Sequence, residues 1–111
     1  MIEVDVQGGG DSAVLRPQGR LTMVTAPELR TAVAEAVEGR RVRIVVDLSA
    51  CEFIDSSGLG AIIGGLKKAR QAGGDLRIAC VGPQVATVLQ LTNLDRVLRP
   101  HDTVERALRD G

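Results

Sequence analysis

Ile2, Val4 and Val6 alternate with Glu3 and Asp5, the two-residue period of a strand with one buried face. Gly8, Gly9, Gly10 and Asp11 end that pattern, and a second strand is predicted over residues 13–21. A Gly/Asp-rich break between two such runs predicts a hairpin. Pro17 has no N–H to give a ladder, which predicts an edge position or a bulge. Thr25-Ala26-Pro27-Glu28 reads as a helix start, with Thr25 as N-cap, Pro27 in the first turn and Glu28 completing a capping box. Leu29, Val33, Ala36 and Val37 then share one helical face, and Gly39 predicts a left-handed C-terminal position. Residues 42–48 form a short β-branched run with three consecutive apolar positions, which predicts a parallel strand covered on both faces.

Residues 51–58 read as a strand-exit loop leading into a helix whose Leu59, Ile62, Ile63 and Leu66 share a face, stopped by Gly73-Gly74. A strand over residues 76–81 follows. Pro83 then opens a helix with Val85, Val88 and Leu89 inward, closed by Thr92-Asn93. A short strand is predicted at Val97 and Leu98. Asp102-Thr103-Val104-Glu105 offers a second capping box for a last helix carrying Val104, Ala107 and Leu108. The order β-β-α-β-α-β-α-β-α predicts an α/β fold with a mixed sheet whose later strands are joined by helical crossovers.

The length of 111 residues fits one domain, residues 1–111, and 44% hydrophobic with 25% charged residues matches a folded globular chain. Phe53 is the sole aromatic residue, so the core must be aliphatic and the stacking platforms of single-strand nucleic-acid binders are missing. Fourteen basic residues balance fourteen acidic ones without a basic stripe, which argues against nucleic acid and anionic membrane as partners. Cys51 and Cys80 lack a second ligand at metal spacing, so neither a zinc site nor a disulfide framework is expected, and both read as small core residues. With no basic leader and no long apolar run, the expected location is the cytoplasm.

The chemically densest stretch is Asp55-Ser56-Ser57-Gly58-Leu59-Gly60, where a strand hands over to a helix. One short polar side chain suffices to cap a helix, so two hydroxyls beside Asp55 are surplus to that need. Glycine inside a helix costs about 1 kcal/mol relative to Ala, and the run through Gly58, Gly60, Gly64 and Gly65 predicts close approach of something to this helix. Enzymatic readings fit poorly. The glycines miss the G-x-G-x-x-G spacing by one residue, no Gly-Lys-Ser/Thr ending supports a P-loop, and Ser57 lacks the G-x-S-x-G elbow. The sole histidine, His101, reads as a loop residue before Asp102, and Lys67, Lys68 and Arg70 as a solvated helix face. A small nucleotide-binding or redox enzyme using the Gly-rich helix is the rival from another class. No cofactor and no metal are expected.

The stretch from Phe53 to Gly60 resembles the signature of the STAS domain, in particular the small bacterial anti-sigma factor antagonists. The likeness extends to the Gly19-Arg20-Leu21 turn before Thr25-Ala26, the strand Ile44-Val45-Val46-Asp47-Leu48, and Gly73-Gly74 before the next strand. It implies a STAS fold, a mixed central β-sheet with helices packed mainly on one side. It also implies a non-enzymatic, phosphorylation-controlled antagonist that binds an anti-sigma factor serine kinase, an ATP-binding partner, and is reset by a phosphatase. In that family the first serine after the Asp is phosphorylated, which maps to Ser56. Asp55, Ser57, Gly58, Gly60 and Thr22 would complete the partner-binding surface. Many relatives carry an acidic residue after a Gly-Glu-Leu or Gly-Glu-Ile turn, where this chain has Thr22 after Gly19-Arg20-Leu21. Within the family the alternative is a partner-switch regulator of secretion or motility.

Overall fold

The computed structural model describes residues 2–5 and 10–109; Val6, Gly8 and Gly9, where the first strand and its break were expected to meet, lie outside them. The elements run β1 (Ile2–Asp5), β2 (Ser12–Pro17), β3 (Gly19–Leu21), α1 (Ala26–Glu38), β4 (Arg43–Asp47), β5 (Cys51–Ile54), α2 (Ser56–Gln71), β6 (Asp75–Ala79), α3 (Pro83–Leu91), a 3-10 turn at Leu94–Arg96, β7 (Pro100–His101) and α4 (Val104–Arg109). Five strands form a mixed sheet in the order β1-β2-β4-β6-β7, in which only the β1/β2 pair is antiparallel. The expected hairpin and the expected parallel central strand are both present.

Side-chain alternation along the central strands sorts the core into two unequal parts. Ala13 and Leu15 of β2, Ile44 and Val46 of β4, and Leu76 and Ile78 of β6 face one way, into the main core with Leu29 and Val33 of α1, Ile62 and Leu66 of α2, and Val85 and Leu89 of α3. Val14, Val45 and Ala79 face the other way and meet Ala107 of α4 in a small second cluster. Three helices therefore cover one face and the short α4 the other, as the family resemblance implied.

The strand expected over residues 13–21 is two strands in two sheets. Gly19 adopts φ +78°, turning the chain after β2, and β3 leaves the main sheet to pair in parallel with β5. Residues 51–54, expected as loop, thus supply the second strand of a two-stranded sheet. Its middle is marked by the paired residues Arg20 and Phe53, with the guanidinium carbon 4.4 Å from the ring centroid. Pro17 sits in no bulge and β2 is not an edge strand, yet at Pro17 itself one side is open, the edge position expected of it. It ends β2 opposite Ile2, beyond Leu15, where the ladder to β4 stops and no N–H is asked of it. Val4 is exposed, because α1 covers the outer strand near Ile2 and leaves this end bare.

Local hydrogen bonding redistributes several expected caps. Thr25 occupies the N-cap position of α1, but its hydroxyl donates to the Arg20 carbonyl at 2.7 Å and accepts from Thr22 N–H at 2.9 Å, so it makes no side-chain cap. The left-handed residue after α1 is Arg40, at φ 63°, one position past Gly39. At α4, Thr103 rather than Asp102 accepts the helical N–H of Arg106, at 3.1 Å. Val97 and Leu98 are not a strand: they follow the 3-10 turn of Leu94–Arg96, and the chain joins the sheet later, at Pro100 and His101, which places His101 on β7 instead of in a loop.

Candidate functional site

Asp55 ends β5 and caps α2. Its carboxylate accepts from Gly58 N–H at 2.9 Å while its carbonyl accepts from Leu59 N–H at the same distance, so the aspartate holds both side-chain and main-chain ends of the first turn. Ser56 is the first helical residue and is exposed; Ser57 is half-buried. With Asp55 serving as the cap, the exposed Ser56 side chain has no hydrogen-bond partner among the described residues and sits at the positive end of a 16-residue helix.

Two contacts fix this turn against the rest of the molecule. Asp55 N–H donates to the Leu21 carbonyl at 3.2 Å, tying the end of β5 to the end of β3. Gly58 lies against the same carbonyl so closely that a Cβ built there would stand 2.3 Å from it, with Leu21 Cγ at 2.9 Å and Ile54 Cγ1 at 3.0 Å. The close approach sensed from the sequence is therefore internal at Gly58. It is internal at Gly65 too, where a Cβ would meet Leu76 Cδ1 at 3.0 Å and Val33 Cγ2 at 3.2 Å. Gly60 and Gly64 differ: both are exposed, with only Arg30 Nη2 at 3.9 Å from a Cβ on Gly60 and nothing within 4 Å of one on Gly64. Spaced by four, Ser56, Gly60 and Gly64 lie on one helical face and leave its backbone open.

The Leu21 contact brings the loop after β3 alongside Ser56. Thr22 is half-buried, its N–H bonded to the Thr25 hydroxyl and its own hydroxyl accepting from Val24 N–H at 3.3 Å. That compact turn pushes out two apolar side chains, Met23 at 73% and Val24 at 81% exposure. Thr22, Asp55, Ser56, Ser57 and Gly58 are thus neighbours, with Gly60 one turn along. Met23 and Val24 were not among the expected residues, although two apolar side chains inside a polar turn were a readable signal.

Gln84 on α3 was also missed. Its side-chain amide donates to the Ile54 carbonyl at 3.1 Å and accepts from the Ile54 N–H at 2.9 Å, completing the free edge of β5 immediately before Asp55. Asp47, at the end of β4, is buried to 4% exposure. Burial pushes its carboxyl up, but the Ser49 N–H at 2.9 Å and Arg16 Nε at 2.8 Å outweigh that and hold it below the usual carboxylate range. The thiols belong to the scaffold: burial pushes both Cys51 and Cys80 up, which keeps them protonated and poorly nucleophilic. Among the described residues no group of three or more His, Cys, Asp or Glu could hold a metal ion, and no helix is long and apolar enough to cross a membrane.

A central mixed sheet, three helices on one face and an exposed serine beside the Asp55 cap at the start of α2 define a recognisable class. The chain belongs to the STAS domain family, whose pattern matches residues 2–107. It is 29% identical over 110 residues to an anti-sigma F factor antagonist of Paenibacillus polymyxa, covering 98% of this chain and 94% of that one. To the anti-sigma-F factor antagonist RsfB of Mycobacterium tuberculosis it is 31% identical over 107 residues, 96% of this chain and 87% of the relative. The crystal structure of an anti-sigma factor antagonist from Mycobacterium paratuberculosis superposes with a TM-score of 0.82 at 30% identity, over 99% of this chain and 93% of that one.

Proposed function

We propose that this chain is an anti-sigma factor antagonist that works by partner switching: it binds an anti-sigma factor serine kinase, is phosphorylated by that partner on Ser56 at the expense of ATP, and is released until a phosphatase restores the hydroxyl. The observation that carries this reading is the exposed Ser56 hydroxyl at the start of α2, with the capping role already filled by Asp55. The kinase transfers the γ-phosphoryl group to the Ser56 oxygen, ADP leaves, and the hydroxyl proton is lost to the kinase's base or to solvent. The product adds a charge of about −1.5 to −2 where the partner docks, and desolvating that charge against the partner ends binding without refolding either protein.

The docking face consists of Thr22, Asp55, Ser56, Ser57, Gly58 and Gly60. The exposed apolar pair Met23 and Val24 supplies surface that gains from being covered. Gly58 contributes indirectly, by letting β3 close on α2. The chain has no catalytic role of its own in this scheme, and the cycle runs in the cytoplasm, where the kinase finds its ATP.

The test is to incubate the chain with histidine-kinase-like ATPases encoded beside it, with and without ATP, and to follow complex formation and phosphopeptide masses. The expected result is a complex without ATP, and with ATP one phosphate on Ser56 and loss of the complex. Phosphate on Ser57 alone overturns the site, and a complex indifferent to phosphorylation overturns the switch.

A further inference from the structure

At the opposite end of α2 from Ser56 lies an open cavity of about 450 Å³ that the switch does not use. β7 pairs with β6 only at Ile78 and Ala79, so the first half of β6, including Asp75 and Arg77, has no strand on that side and forms one wall. Arg70, in the last turn of α2, forms a second wall, and Arg96, Val97 and Arg99, from the segment that turns before joining the sheet, form the third. Four arginines and His101 therefore line this space against a single carboxylate.

The chain as a whole balances fourteen basic with fourteen acidic residues, so this concentration of charge is local and not a reflection of composition. Asp75 answers only two of the four arginines. Its oxygens lie 3.2 Å from Arg70 Nε and 3.7 Å from Arg77 Nε, which pins both stems, and Arg77 Nη1 also donates to the Ala107 carbonyl at 2.9 Å. The side chains of Arg96 and Arg99 make no ion pair or hydrogen bond among the described residues. Like charges gathered around one space with one carboxylate between them repel, and an anion relieves that repulsion.

We propose that this cavity binds a small ligand carrying two or more linked phosphate groups. The guanidinium fork matches phosphate oxygens in a bidentate fashion, and the two forks of Arg96 and Arg99, with the partly engaged Arg70 beside them, exceed what one monoanion can engage. The volume falls in the range of small-ligand sites. The bare part of β6, Asp75 to Arg77, offers only a few ladder bonds, which disfavours a long extended acidic peptide. No Phe, Tyr or Trp lines the space and His101 is the one ring in its wall, so recognition falls chiefly on the phosphate chain, whether it comes from inorganic polyphosphate or from a nucleotide. The inference is independent of the Ser56 reading.

Calorimetric titration of the full chain with tripolyphosphate, ATP, orthophosphate and an octaglutamate peptide at low salt tests it, alongside the rise in Tm that each ligand produces. Saturable 1:1 binding of tripolyphosphate is expected, tighter than orthophosphate and weakened by added salt. Equal affinity for ATP assigns the ligand to the phosphate chain alone, and tighter ATP binding assigns it to a nucleotide. Arg96→Gln combined with Arg99→Gln removes two groups without internal partners, so the variant keeps its fold, and it should bind at least about tenfold more weakly with the Tm rise abolished. Arg30→Gln combined with Arg40→Gln, on other surfaces, should bind as the parent does. No saturable binding, equal weakening by the Arg30/Arg40 variant, or tighter binding of octaglutamate than of tripolyphosphate overturns the proposal.

Discussion

Gln84 replaces a missing strand for Ile54: one side-chain amide accepts from its N–H and donates to its carbonyl across 30 positions of sequence. Removing it leaves two main-chain groups of a buried residue unsatisfied at the point where β5 turns into the Asp55 cap. Gln84→Ala should destabilise the chain by about 1–3 kcal/mol in a denaturant titration. Gln84→Glu keeps the acceptor but sets a carboxylate oxygen against the Ile54 carbonyl, and near neutral pH should destabilise no less than Gln84→Ala.

The glycines of α2 make opposite predictions. Gly58→Ala places a methyl 2.3 Å from the Leu21 carbonyl and should cost about 1–3 kcal/mol or more as β3 is forced from the helix. Gly60→Ala meets open space and should stabilise the free chain by about 0.4–1 kcal/mol, through a less flexible unfolded state. Thermal melts of both variants check the contrast. Affinity of Gly60→Ala for the kinase then reads the docking role separately, with weaker binding expected despite higher stability.

Ser56→Ala and Ser56→Asp should both melt close to the parent, within about 0.5 kcal/mol, since the side chain is exposed and Asp55 already fills the capping role. The new carboxylate lies at the favourable end of the helix dipole. Kinase binding should survive in Ser56→Ala and weaken in Ser56→Asp, as measured by co-elution. Unfolding of Ser56→Asp would reduce its loss of binding to a stability effect.

Asp47 predicts a pH dependence of stability. Its folded-state pKa is lowered, so its contribution is fully present above the unfolded value of about 3.9 and is lost as pH falls through the lower folded value. Asp47→Ala should cost about 1–3 kcal/mol near neutrality by stranding the Ser49 N–H and releasing Arg16, and the gap to the parent should narrow below about pH 4. Denaturant midpoints between neutrality and acid check the slope.

The Asp55 cap and the helix start at Ser56 were legible because a cap is local: its donor, acceptor and helix lie within four residues. β4 was legible for a similar reason, since its β-branched run admits little else. β5 was not, because Cys51-Glu52-Phe53-Ile54 carries too little alternation and becomes a strand only through β3, about thirty residues earlier, and Gln84, thirty later. Thr25 shows how a correct residue type can mislead: its hydroxyl found the Arg20 carbonyl and Thr22 N–H first, in direct competition with the cap. Gly58 and Gly60 carry the same helix-propensity loss, and only the position of Leu21 separates them.

The length of α2 insulates its two ends. Sixteen residues span about 24 Å, roughly three screening lengths at physiological ionic strength. A dianion on Ser56 and an anion among the arginines are then invisible to each other through solvent. Unless the helix itself shifts, their effects on stability add, and occupancy at one end leaves affinity at the other unchanged.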